Sequence, residues 1–190
     1  MLSESGVPSF TKALHKLVQV FEKAKTDYML IGGLALPAYG LVRATQDIDI
    51  AISVKKIESL EHLFQKLKER NIEPTSKPIL GAACTYFLDS ENMVDIEIWQ
   101  KPDGLIIDEE LLKRRNYIEL EKNFFVWIVS AEDFIINKLA RTDRRVQDEN
   151  DVISVLARQK GKLDRKYLEE RAEKAGVLTL LKTLERKVVA

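Results

Sequence analysis

Asp47 and Asp49 stand two residues apart in the run Asp47-Ile48-Asp49-Ile50, where the residues between and after them are apolar. On a strand, side chains at this spacing leave the same face about 7 Å apart, near enough to share divalent ions. Upstream, Gly32-Gly33 follow the apolar run Tyr28-Met29-Leu30-Ile31, and thirteen residues separate Gly33 from Asp47. Two glycines between a strand and a helix let the backbone approach a triphosphate, whose charge is favoured by the free N–H groups and the helix dipole. Carboxylates together with phosphate oxygens form the oxygen-rich, partly hydrated shell that Mg²⁺ prefers. A third carboxylate on a neighbouring strand would complete the centre. Asp95 is assigned to that place, as ligand and as base for an attacking hydroxyl, with Glu97 on the same face as the alternative. The chemistry these groups suit is in-line attack on the phosphorus of a nucleoside triphosphate (NTP), with pyrophosphate leaving.

The elements that must hold these residues are legible in the hydrophobic pattern. From Asp47 to Val54 the chain alternates, with Ile48, Ile50, Ile52 and Val54 on one face and the aspartates on the other, which predicts a strand with one dry face. Cys84 to Leu88 and Met93 to Trp99 read as a hairpin around Asp89-Ser90-Glu91-Asn92, with Val94, Ile96 and Ile98 inward. Tyr28 to Ile31 suits a central strand, and a short helix through Leu34-Ala35-Leu36 closes at Gly40. Amphipathic helices are expected from Ser9 and over Lys56 to Glu69. A short helix near Glu109 to Arg115 and strands at Tyr117 to Leu120 and Phe124 to Val129 come next. Beyond a cap at Ser130 the pattern turns helical, with helices over Asp148 to Gln159 and Leu163 to Lys174, then a last one after Gly176. The fold expected is α/β, a mixed sheet with flanking helices over residues 1–129 and a C-terminal helical region over 130–190 that closes over the nucleotide.

Composition narrows the class. Hydrophobic residues make up 45% of the 190 and charged residues 32%, an ordinary globular balance. Lys plus Arg equals Asp plus Glu at 30 each, so no global basic field points to nucleic acid or an anionic membrane. The single Cys84 allows no internal disulfide, and no Cys/His cluster has zinc-ligand spacing. No apolar run reaches the ~18 residues of a membrane span, and the opening residues lack a signal-like core. A cytoplasmic location is the expectation.

The order Ile31-Gly32-Gly33, spacer, Asp47-Ile48-Asp49-Ile50, then Asp95 resembles the signature of the nucleotidyltransferase superfamily, whose catalytic domain has the polymerase-beta-like fold. The stretch GGLALPAYGLVRATQDIDI looks most like the abortive-infection (AbiEii-type) toxin branch, in which Gly40, Arg43 and Thr45 find counterparts. Downstream, AEDFIINKLARTDRRVQDENDV resembles that branch's helical segment, where a Lys and a following Asp complete the active site. Lys138 and Asp148 are the matching positions, with Asp151 the alternative to Asp148. The resemblance implies transfer of a nucleoside monophosphate (NMP) from an NTP such as ATP, under Mg²⁺, to a tRNA end or a protein side chain. It also implies a toxin role with a cognate antitoxin. Asp47, Asp49 and Asp95 would hold the metal, Gly32, Gly33, Arg43, Thr45 and Lys138 the nucleotide.

Two other readings stand beside this one. Short adenylyltransferases acting on small antibiotics share the glycine and aspartate core, although their usual tryptophan after the glycines is Leu34 here. A non-catalytic, antitoxin-like module would keep the fold without the activity, but it has no physical need for three desolvated carboxylates together. The basic run Arg141 to Arg145 lies near Lys138 and could guide an RNA backbone. Cys84, Trp99 and Trp127 read as core or edge residues.

Overall fold

The fold is described from a computed structural model covering residues 8–189. Seven strands form one mixed sheet: β1 (Asp27–Leu30), β2 (Asp47–Ser53), β3 (Ile72–Pro74), β4 (Cys84–Asp89), β5 (Val94–Trp99), β6 (Asn116–Glu121) and β7 (Phe124–Ile128). Their order across the sheet is β3-β4-β5-β2-β1-β7-β6. β2 lies antiparallel to β1 and parallel to β5, at the centre. Its alternation is realised as expected, with Ile48, Ile50 and Ile52 fully buried. The β4–β5 hairpin turns where the polar residues predicted it, and Asp89 accepts hydrogen bonds from the Glu91 and Asn92 backbone N–H groups inside that turn. β3 was not expected. It is three residues long and ends on Pro74, an edge position where a missing N–H costs nothing.

Helices α1 (Ser9–Ala24) and α2 (Ile57–Lys68) pack on each other through the predicted stripes, Leu14, Leu17, Val18 and Phe21 against Leu60, Leu63, Phe64 and Leu67. A 3₁₀ helix, Gly32–Tyr39, follows β1. α3 (Glu109–Arg114) leads into the β6–β7 hairpin. α4 (Ala131–Ala140), α5 (Val146–Arg158), α6 (Arg165–Lys174) and α7 (Leu178–Val189) form a group that contacts the 3₁₀ helix through α4 and α5. Ser130 caps α4 by accepting from the Asp133 N–H, as its sequence position predicts. One hydrophobic core runs through both the sheet and this helical group, from Ala13 to Leu184. Among the described residues no helix is long and apolar enough to cross a membrane.

Candidate active site

Gly32 is held at φ 60°, a left-handed conformation open to glycine, and a Cβ there would lie 2.0 Å from Asp49 Oδ2. The backbone of the strand-to-helix turn therefore sits directly against the second aspartate. Gly33 is nearly as tight, with Thr45 atoms 3.0 Å from the place of its Cβ. Thr45 in turn steadies the first aspartate. Its hydroxyl donates to Asp47 Oδ1 at 2.9 Å, fixing one carboxylate as β2 begins. The Ile31 N–H donates to the Asp49 carbonyl, which ties the turn to β2.

The third carboxylate that the structure brings to this place is Glu97. β2 and β5 run parallel with Asp47 beside Asp95 and Asp49 beside Glu97. Oxygens of Asp47, Asp49 and Glu97 all lie within 4.8 Å of one another. Asp95, assigned from the sequence, is exposed at the start of β5 and does not join this group. Burial first, then the neighbouring Asp47 charge, raises the Asp49 carboxyl. Burial and the Asp49 charge push Glu97 up to about 7. Crowded carboxylates whose ionised forms are disfavoured suit a cation, and the three oxygen donors fit a hard divalent ion such as Mg²⁺.

On the helical side, α4 and α5 deliver the cationic partner. Lys138 is 3% exposed, and its ammonium donates to Asp148 Oδ1 at 2.8 Å. α5 begins two residues before the predicted start, which places Asp148 in its first turn, where Oδ2 accepts from the Arg145 N–H at 2.9 Å. Burial works against the Asp148 charge, but the bonds from Lys138 and Arg145 outweigh it and hold the carboxyl below its ordinary range. Asp151 is fully buried, with Oδ2 3.8 Å from both Lys138 Nζ and Arg43 Nη2 and Oδ1 accepting from Gln147. Both Asp148 and Asp151 thus meet Lys138, the first by a hydrogen bond and the second by charge alone. Arg43 reaches across from the loop before β2 to α5.

These groups line one cleft of about 610 Å³ that holds Gly33, Arg43, Thr45, Asp47, Asp49, Glu97, Lys138 and Asp148. Tyr86, Trp99, Asp103 and Arg141 share it, and the sequence had not assigned them to the site. The signal for Tyr86 and Trp99 was present as alternation along β4 and β5, since both project from the same face as Glu97. Arg141 lies at the end of α4, chelated by Asp143 at 3.0 and 3.1 Å.

Several solved structures share the fold. The solution structure of the antibiotic-resistance factor ANT(2'')-Ia aligns with a TM-score of 0.56 at 12% identity, covering 93% of this chain and 96% of that one. The lincomycin-bound lincosamide antibiotic adenylyltransferase LnuA aligns at 0.54 and 16% identity, over 76% of this chain and 94% of that one. An antigenic nucleotidyltransferase-like protein from Paracoccidioides brasiliensis aligns at 0.52 and 20% identity, over 92% and 91%. At these identities the likeness concerns the fold alone. No functionally curated protein matches the chain in sequence. Residues 10–178 match the family described as "Nucleotidyl transferase of unknown function" (DUF2204), a span that takes in every element of the cleft, and the chain belongs to that family.

Proposed function

We propose that the protein moves an NMP from an NTP to a hydroxyl acceptor with Mg²⁺ in the Asp47–Asp49–Glu97 group. The observation that carries this reading is the meeting of three carboxylates within 4.8 Å, against the glycine turn, in one cleft with Lys138, Arg43 and Arg141. A metal held there neutralises charge on the phosphates and lowers the pKa of the acceptor hydroxyl. The chain's own groups do the rest. Gly32 and Gly33 admit the triphosphate to the turn, while Lys138 and Arg43 offer positive charge to its oxygens. Asp148 and Asp151 hold those two cations in place. Thr45 orients Asp47. The acceptor oxygen attacks the α-phosphorus, the bond from that phosphorus to the bridging oxygen breaks, and pyrophosphate departs. The acceptor proton passes to the carboxylate pair of Asp49 and Glu97.

The toxin resemblance implies a tRNA end or a protein side chain as acceptor. In the basic run that was to steer RNA, Arg141 is chelated by Asp143 and Arg144 is occupied by the Leu139 carbonyl and Glu149, while Arg145 lines the cleft with no ion pair among the described residues. The chemistry is tested by pyrophosphate release from each of the four NTPs with and without Mg²⁺, in the wild type and in Asp49→Asn. Release that needs Mg²⁺ and is lost in the variant supports the reading; Mg²⁺-independent release, or equal release by Asp49→Asn, overturns it.

A further inference from the structure

Four buried side-chain polar atoms have no hydrogen-bond partner among the described residues. Three of them already face a charged group. His15 Nε2 lies 3.4 Å from Glu121, Asp151 Oδ2 lies 3.8 Å from both Lys138 and Arg43, and Glu185 Oε1 lies 2.6 Å from Arg165. The fourth is Nε1 of Trp99, at the end of β5, and an indole N–H can only donate. Buried tryptophan N–H groups usually find an acceptor, so one left without a partner at a reaction centre calls for an explanation.

Trp99 follows Glu97 by two residues, and both leave the same face of β5. Its register partners on that face are Cys84 of β4 and Ala51 of β2, both small, which leaves the indole room to lie back toward the carboxylates. Glu97 is the carboxylate that the N–H addresses. The indole favours its ionised form, although no hydrogen bond joins the two in the structure. Resting on the transfer reading above, we propose that Trp99 is a positioning residue for the metal group: with one Glu97 oxygen on the divalent ion, the other accepts from the Trp99 indole N–H. A carboxylate that binds an ion through one oxygen keeps its orientation when the second is hydrogen-bonded, and the acceptor's charge strengthens that bond. The rival acceptor is a water. A chamber of about 20 Å³ between Trp99, Asp49, Asp103 and Arg141 has room for one. Such a water would serve the N–H equally with and without the ion, which separates the two cases.

The chain has two tryptophans, so its indole N–H groups give two signals in a ¹⁵N-edited proton spectrum, and Trp127→Phe assigns them. The full-length protein is titrated with Mg²⁺, alone and with each α,β-methylene NTP. The Trp99 signal is expected to move downfield and to exchange more slowly with solvent as Mg²⁺ binds, while the Trp127 signal stays in place. Trp99→Phe, and replacement of Trp99 by benzothienylalanine, which keeps the bicyclic ring but has sulfur in place of N–H, should each weaken Mg²⁺ binding about tenfold or more by calorimetry. Trp127→Phe should leave that Kd at the wild-type value. Thermal unfolding shows that each variant is folded, and the isostere separates loss of the N–H from loss of ring volume. A Trp99 N–H equally protected with and without Mg²⁺, or wild-type Mg²⁺ affinity in the benzothienyl protein, overturns the proposal and leaves the transfer reading standing. No saturable Mg²⁺ binding by the wild type under any of these conditions refutes both.

Discussion

Asp49 Oδ2 occupies the space that a side chain on Gly32 would need, 2.0 Å from the position of its Cβ. The glycine is thus required twice, by its positive φ and by the carboxylate it touches. Gly32→Ala should displace Asp49 from the metal group and lower transfer by about a hundredfold or more, the usual consequence of an ångström-scale shift of a reacting group. A steady-state rate for this variant, together with a circular dichroism spectrum showing the fold intact, checks it. A rate near the wild type would mean that the turn does not press on the reaction centre.

Glu97 and Asp95 give a sharp contrast on one strand. Glu97→Gln removes a carboxylate within 4.8 Å of both aspartates and should lower the rate by about 10²–10⁴-fold, the range for loss of a general base. Asp95 is exposed and outside the group, so Asp95→Asn should leave metal-dependent nucleotide binding at the wild-type level. Its stability should change by no more than about 0.5 kcal/mol. The opposite ranking of the two variants would return the third ligand to Asp95.

This pair also shows where the sequence stopped being readable. The alternation of β2 and β5, the β4–β5 hairpin, the Ser130 cap and the glycine turn all follow from local pattern, and all stand where expected. Asp95 and Glu97 share a face, however, and only the parallel register of β5 on β2 decides which meets Asp49. That register is set across a long connection through α2, β3 and β4, by packing that no short window contains. Asp103 was missed for a similar reason: it lies in a turn, and its membership of the cleft depends on where α4 docks. Lys138 looks like any solvated helical lysine in sequence, and its burial between Asp148 and Asp151 exists only in the folded chain.

The Lys138–Asp148 pair should matter to stability as well as activity. Lys138→Met would leave buried Asp148 without its hydrogen-bonded counter-charge and Asp151 with Arg43 alone, at a cost of about 3–5 kcal/mol. Urea unfolding measures it. A loss below about 1 kcal/mol would place the pair with ordinary surface bridges.

The carboxylates give two opposite pH dependences in metal-free protein. Glu97, raised from its ordinary 4.5 to about 7, binds more protons folded than unfolded between those values, so stability falls as pH rises through that window. Asp148 is lowered, so its contribution is present above the ordinary carboxylate range and is lost as pH falls through its depressed value. The metal-free protein should therefore be most stable at mildly acid pH. Mg²⁺ competes with the proton held by Asp49 and Glu97, so its stabilising effect should grow toward alkaline pH. Melting curves from pH 4 to 9, with and without Mg²⁺, and with Glu97→Gln as control, test both signs. A metal-free Tm that climbs steadily from pH 5 to 8 would contradict them.

The central claim is that the bond broken lies between the α-phosphorus and the pyrophosphate, at the Asp47–Asp49–Glu97 group. One NTP carrying label at the α-phosphorus and, in a parallel reaction, at the γ-phosphorus decides it when the acceptor product is isolated. The account predicts α-label on the acceptor, γ-label only in released pyrophosphate, and neither in Asp49→Asn. Transfer of γ-label to the acceptor would make the protein a phosphotransferase and contradict the account.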